Sequence, residues 1–408
     1  MTKKHLSSKL CTSCGACSFL SEGAIVMHRT DKSYVPTCKA ELTEQVTKLI
    51  EIVCPSKGYP IVSIAKELFS GASYDYRIGF YQSFYAVKSN HSETLRHASS
   101  GGIMTELPRY MLLNNIVQGV VCTTYKFEKD VVIPVTDIVT DPDELSNYQG
   151  SKYMPVPALA SLDKLKDFDG QVVYIGTPCQ IAALRRLQAV SPMLREKVKF
   201  AIGNFCGGYR DLREQTDLIK TAGMRGATLT HFQYRGDGQP GYMRIEDDRG
   251  RSWRFEYPKY GKLTGYLKNY RCRVCIDATA ELADIACGDA WIPEYRNKNW
   301  SIAIIRNEEL LPIIDRMVEE NNISRKDISL ENIVESQKQN ITSKKHRFLS
   351  RQKLFKSFGW PVAVYDGGWN QDCPYTTEFE LKVMISEWAK FFAYKLGFLE
   401  TFNKLFKR

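Results

Sequence analysis

Short blocks of hydrophobic and polar positions alternate along most of this chain. Residues 24–27, Ala-Ile-Val-Met, read as a short strand, and residues 41–51 as a helix that leads to Cys54. A mixed polar and aromatic linker occupies residues 70–76. From Gly79 onward β-rich runs alternate with helical stretches, the order of an α/β domain. Two of these runs end on cysteine. Residues 171–175 (Gln-Val-Val-Tyr-Ile) lead into Gly176-Thr177-Pro178-Cys179 and a helical stretch, residues 180–186. Residues 200–205 end at Cys206-Gly207-Gly208. Both cysteines fall just past the carboxyl ends of predicted strands, where open α/β sheets bind their ligands. Residues 283–291 read as a further buried strand ending in a turn. Its Asp284 and Asp289 suit either the fixing of loop backbone or a hydrogen bond to a cofactor.

The expected architecture is α/β (α+β) in three parts. Residues 1–64 form a small N-terminal ferredoxin-like module, residues 77–343 a central mixed α/β domain, and residues 344–408 a basic, helical C-terminal segment. No internal repeat is present. The 408 residues, 43% hydrophobic and 12% aromatic, suffice for a packed core. No charged stretch followed by an apolar run opens the chain, and no apolar stretch approaches the roughly 18 residues of a membrane span, so a cytoplasmic location is expected. Twelve cysteines in that reducing setting are thiols or metal ligands rather than disulfides.

Eight of the twelve fall into two sets. The first is Cys11-Thr12-Ser13-Cys14-Gly15-Ala16-Cys17 with a later Cys54-Pro55. A C-x₂-C-x₂-C run with a distant Cys-Pro is the way bacterial ferredoxins ligate a four-iron cluster. Ser21 and Glu22 stand where a two-cluster ferredoxin would continue into its next Cys-Pro, so one N-terminal cluster is expected. The second set, Cys179, Cys206, Cys272 and Cys275, suits a second cluster or structural zinc by spacing alone. Cys38 lacks a neighbouring cysteine and a following proline and reads as a bystander thiol. Cys122 and Cys373 have no motif around them.

A third strand-to-helix junction carries Ser99-Ser100-Gly101-Gly102. Small residues allow close backbone approach, and the helix N-terminus beyond them suits a phosphate, although an ordinary helix cap has the same composition. Gly150-Ser151-Lys152-Tyr153 follows a turn at Asp141-Pro142 and lies on a loop where a lysine and a tyrosine meet either a dinucleotide or solvent. The net charge of +10 suits an acidic redox partner or a solvated surface. No recognition helix or RNA-binding signature accompanies it, so nucleic acid is not the expected partner.

In order along the chain, C-T-S-C-G-A-C with its later C-P, S-S-G-G, G-S-K-Y, G-T-P-C-Q-I-A-A-L, F-C-G-G, and C-R-V-C followed by A-D-I-A-C-G-D-A-W resemble one family over roughly residues 8–291. It is that of the beta subunits of hydrogenases and dehydrogenases that use the deazaflavin coenzyme F-420, with their bacterial and plant relatives. The resemblance implies an iron–sulfur flavoprotein with FAD on the α/β domain and a four-iron cluster at Cys179, Cys206, Cys272 and Cys275. It makes Ser99, Ser100, Gly101, Gly102, Lys152 and Tyr153 flavin contacts. Cys287 departs from the family, standing where relatives commonly carry an aromatic or aliphatic residue.

Relatives with the N-terminal module look like ferredoxin-dependent two-electron reductases. The function expected is therefore transfer of electrons from reduced ferredoxin, through two 4Fe-4S clusters, to FAD and on to an organic substrate. Bacterial relatives suggest a sugar-linked substrate of surface polysaccharide synthesis. Tyr153, Lys152 and His97 are candidate proton donors. Rival readings are an oxidoreductase of the deazaflavin coenzyme, an electron-relay subunit, and a zinc-bearing scaffold or nucleic-acid-binding protein. Near Lys344 the chain turns basic, with Lys344-Lys345-His346-Arg347, Arg351, Lys353 and Lys356. Beyond it, Trp388, Phe391, Phe392, Lys395, Phe398, Leu399, Phe402 and Phe406 predict helices with an apolar face. That face suits packing on the main body, on a partner, or peripherally on an anionic membrane.

Overall fold

Eight strands form the sheet that organises the molecule. In spatial order they are Ile323–Asp327, Ser83–Ser89, Ser301–Ile305, Ile285–Asp289, Val198–Asn204, Val172–Gly176, Gly119–Glu128 and Val131–Val139. The four from Ile285–Asp289 to Gly119–Glu128 are parallel, and the flanking strands pair antiparallel. Parallel strands covered on both faces need continuous apolar runs, and Val172, Val173, Tyr174, Phe200, Ala201 and Ile202 are all buried. This computed structural model describes residues 9–257, 267–369 and 373–397.

The sequence-predicted elements appear with small shifts. The first strand is Ile25–Arg29, hairpinned with Tyr34–Cys38. The helix before Cys54 is Glu44–Val53, started by the Thr43 hydroxyl accepting from the Val46 amide. The run at residues 171–175 is the strand Val172–Gly176, followed by the helix Pro178–Val190. Within the expected linker at residues 70–76, Ser73–Asp75 pairs with Gly79–Tyr81. A separate three-stranded antiparallel sheet, Leu229–Gly236, Tyr242–Asp247 and Ser252–Glu256, contributes Arg235 to the site described below.

The N-terminal segment shares its core with the α/β body. Leu10, Ala16 and Val53 belong to one apolar cluster with Tyr174, Ile181 and Leu184. Gly15 makes the close approach possible: its φ is +88°, and a Cβ there would lie 2.6 Å from the Ala160 nitrogen. Beside it, the Leu159 amide donates to the Cys14 carbonyl at 2.9 Å. The basic stretch after residue 343 is also built in. Lys344, Lys345 and Arg351 are buried; Lys345 pairs with Glu281, and Arg351 with Glu380. Val364–Tyr365 pairs in parallel with Gly58–Tyr59.

The final described helix is Thr377–Lys395. Glu380 and Met384 face inward, while Ile385, Trp388, Phe392 and Leu396 form an exposed line. Phe398, Leu399, Phe402 and Phe406 lie outside the described residues. No helix among the described residues is long and apolar enough to cross a membrane.

Candidate functional site

Cys11, Cys14, Cys17 and Cys54 line one cavity of about 280 Å³, closed by Arg186, Met27 and Leu20. Cys17 lies in the short helix Ala16–Leu20, Cys11 and Cys14 in the loop before it, and Cys54 caps the end of helix Glu44–Val53. Burial, with each other's charge, pushes Cys11 up to about 12 and Cys14 to about 11, and raises Cys17 further. Thiols crowded in this way lose their protons only to a metal or a cation. The Ser13 amide donates to the Cys11 sulfur at 3.4 Å, and Arg186 Nη1 donates to the Cys54 carbonyl at 3.0 Å.

The second set meets at the carboxyl end of the parallel strands. Cys179 is held in the first turn of helix Pro178–Val190, where the Thr177 hydroxyl and the Gln180 side chain form a capping box. Cys206 follows strand Val198–Asn204, and its amide donates to the Ala278 carbonyl at 2.9 Å. Cys272 and Cys275 come from the turn at Tyr270–Arg273 and its continuation. Burial raises Cys179, and the nearby Cys206, Cys272 and Cys275 raise it further. Cys275 differs, because Lys344 and Arg271 outweigh its burial and hold it below its ordinary value.

Cys179 and Cys206 also line a second cavity of about 280 Å³, into which Ser99, Ser100, Gly102, Lys152 and Tyr153 open. Gly102 starts the helix Ile103–Leu113 with a φ of +76° and no side-chain cap; the Thr105 amide donates to the Gly102 carbonyl at 3.0 Å, and the Ile103 and Met104 amides ahead of it are the ones suited to a ligand. Gly101 does not line the cavity. Its amide donates to the Ser301 hydroxyl at 2.8 Å, and a Cβ there would stand 2.4 Å from the Val87 carbonyl oxygen. Lys152 clips its own loop, donating to the carbonyls of Tyr148, Gln149 and Gly150 at 2.6, 2.9 and 3.0 Å. Burial lowers it to about 8.

The strongest polar group in this cavity is one the sequence reading passed over. Arg235 forms a two-pronged ion pair with Asp289 at 2.6 and 2.8 Å and donates to the Ser99 and Pro240 carbonyls. Its guanidinium lies 4.5 Å from the Tyr257 ring centre. Asp289 raises it despite its burial. The signal available was an arginine, followed by glycine, at the end of an otherwise mixed strand. Asp284 is structural: it accepts from Arg185 and from the Ala201 amide.

Of the proposed proton donors, Lys152 and Tyr153 share the cavity, and His97 does not. It lines a neighbouring cavity of about 480 Å³ with His231, Gln233 and Arg244, across the loop at residues 149–152. Cys38 is exposed and lines neither cysteine cavity, Cys122 is buried in its strand, and the Cys373 sulfur contacts the His346 carbonyl. Cys287 is buried at the floor of the cavity that Ser99 and Lys152 line.

An open sheet that presents four thiols and a dipole-facing cavity at its carboxyl edge is a cofactor-binding architecture of the oxidoreductase class. Residues 84–163 match the N-terminal part, and residues 169–331 the C-terminal part, of the family "Coenzyme F420 hydrogenase/dehydrogenase, beta subunit". The chain belongs to that family. It is 26% identical over 260 residues to the beta subunit of coenzyme F420 hydrogenase from Methanococcus voltae, covering 61% of this chain and 86% of the relative. It is 24% identical over 322 residues to a coenzyme F420-dependent sulfite reductase from Methanocaldococcus jannaschii, covering 74% of this chain and 45% of that protein. The 7-hydroxymethyl chlorophyll a reductase of Oryza sativa matches at 25% over 228 residues, 53% of this chain and 47% of the relative. A chain of the F420-reducing [NiFe] hydrogenase complex from Methanosarcina barkeri shares the fold, with a TM-score of 0.55, 21% identity, and coverage of 71% of this chain and 98% of that one.

Proposed function

We propose that this oxidoreductase is a two-cluster iron–sulfur flavoprotein that draws single electrons from an acidic carrier such as ferredoxin and reduces a small organic substrate. Cys11, Cys14, Cys17 and Cys54 would hold one four-iron cluster and Cys179, Cys206, Cys272 and Cys275 the other, with FAD between Ser99, Gly102, Lys152 and Tyr153. When bound, the clusters carry one electron at a time and the flavin takes two and passes them on together. The observation that carries this reading is the shared cavity: two ligands of the second set form one wall, and the S-S-G-G and G-S-K-Y segments form the others.

The donor sets fit. A single zinc ion draws its sulfurs to about 2.3 Å, whereas the first four thiols surround a cavity of about 280 Å³. Within the flavin cavity Arg235 fixes the Ser99 backbone, Lys152 holds the loop at residues 148–150, and Tyr153 packs edge to face on Tyr234. The net charge of +10 suits the acidic donor. The exposed line Ile385, Trp388, Phe392 and Leu396 is the face that a peripheral contact with an anionic membrane would use.

Iron, acid-labile sulfide, zinc and flavin per chain, on protein purified without oxygen, test the proposal. About eight irons and one FAD are expected. Zinc without flavin would leave the scaffold reading in its place. The names of the relatives favour a second reading, in which coenzyme F420 is the two-electron partner. Turnover of that coenzyme by the isolated protein separates the two.

A further inference from the structure

Two neighbouring buried lysines have different company. Lys345 has a carboxylate, Glu281. Among the described residues no carboxylate oxygen forms an ion pair with the ammonium of Lys344, which is 3% exposed: it donates to the Asp277 carbonyl at 2.6 Å and lies 3.6 Å from the Cys275 sulfur. A buried charge without an opposite charge beside it costs several kcal/mol, so the negative partner of Lys344 is the second cysteine set itself. Arg271, 2% exposed, stands next to Cys272 and spends its donors on neutral groups, the carbonyls of Pro55 and Val274 and the Tyr365 hydroxyl. The Lys268 side chain lies against Gly208, as Cys272 does. The buried Asp277 carboxylate opposes these cations and accepts from the Glu281 amide, while the buried Glu281 and Glu380 carboxylates are paired with Lys345 and Arg351.

The first set is surrounded differently. The Cys54 sulfur contacts the Ser56 hydroxyl at 3.2 Å and the Cys11 sulfur an amide. Arg186 reaches the Cys54 and Gly58 carbonyls, and Lys57 and Glu51 also line the cavity, contributing opposite charges.

Resting on the two-cluster reading above, we infer that Lys344, helped by Arg271, makes the second cysteine set the better electron acceptor, so that electrons enter at Cys11, Cys14, Cys17 and Cys54 and move inward to Cys179, Cys206, Cys272 and Cys275. A fixed positive charge in a low-dielectric site favours the state with one more electron, and net charge, hydrogen bonds to sulfur and exposure set the potentials of such clusters. In the step, a cluster held by the first set would lose one electron as one held by the second gained it, with no proton moved. Direct contacts join the two sets: Tyr209 donates to the Thr12 carbonyl at 3.1 Å, Arg271 spans to Pro55, and Thr12 lines both the first cavity and the proposed flavin cavity. Lys344 is thus a positioning residue for charge and touches no substrate.

The test is a redox titration followed by electron paramagnetic resonance on the fully loaded protein, with Cys17→Ser used to assign the signals. Wild type should show a higher midpoint for the second set. Lys344→Gln keeps a hydrogen-bond donor, one bond shorter, and removes the charge; it should shift electron occupancy away from the second set about tenfold, equivalent to about 59 mV for one electron, and leave the first midpoint in place. Lys344→Arg should restore the wild-type value. A first-set midpoint above the second in wild type, or equal midpoints in wild type and Lys344→Gln at equal iron content, overturns the inference. Absence of both cluster signals from wild type overturns the two-cluster reading instead.

Discussion

Arg235 is a polar tie across the cavity that Ser99 and Lys152 line. It ties strand Leu229–Gly236 to Asp289 on the central sheet and to the Ser99 carbonyl, so three segments meet on one guanidinium. Removing one partner of a buried pair leaves the other charge uncompensated, at about 3–5 kcal/mol. Arg235→Met should therefore lower the thermal midpoint and the flavin content together, while Asp289→Asn does the same more mildly; unchanged flavin per chain in both would remove Arg235 from the site. Cysteine assignments separate at the same scale. Serine at any of the eight proposed ligands should cost about four irons, whereas Cys38→Ser and Cys287→Ser should keep the full count. Lys152 adds a pH signature. Burial takes it from 10.5 to about 8, so between those values the unfolded chain binds the extra proton and stability rises with pH. Urea midpoints should climb from pH 8 to pH 10 in wild type and climb less in Lys152→Gln.

The elements around the site owe their placement to local rules that single residues satisfy. Helix Pro178–Val190 begins on Thr177 and Gln180, with proline in its first turn, and this fixes where Cys179 projects. Thr177→Ala should cost about 1 kcal/mol and loosen Cys179, read as a lower thermal midpoint with faster iron loss to a chelator. The S-S-G-G segment divides its work: Gly102 supplies the left-handed start of helix Ile103–Leu113, and Gly101 lets the loop press on strands Ser83–Ser89 and Ser301–Ile305. Sequence reasoning found the segment and assigned all four residues to the cofactor. It had no means of seeing that Gly101 is spent on packing, because close approach to the Val87 carbonyl is a long-range fact. Gly101→Ala should accordingly disturb flavin binding through backbone displacement.

On the scale of the whole molecule, the exposed line on helix Thr377–Lys395 is an apolar face with no cover among the described residues. Glu380 on its inner side pairs with Arg347 and Arg351, so deleting the helix would also strand two arginines. Point changes test the face more cleanly: Trp388→Ser with Phe392→Ser should leave iron and flavin content intact and reduce sedimentation with anionic vesicles several-fold. Equal sedimentation would end the membrane contact. The sequence by itself determined the α/β order, the strands that lead to Cys179 and Cys206, and the C-x₂-C-x₂-C run of the first set, because apolar periodicity and short ligand spacing are local properties of the chain. Only the tertiary structure decided which charges are buried. Arg235, Arg271 and Lys344 look in the sequence like any solvated cation; their partners, Asp289, the Pro55 carbonyl and the Cys275 sulfur, lie 54, 216 and 69 residues away. A charge becomes functional here through the removal of water around it, and that removal comes from packing of distant segments rather than from any residue's neighbours in the chain.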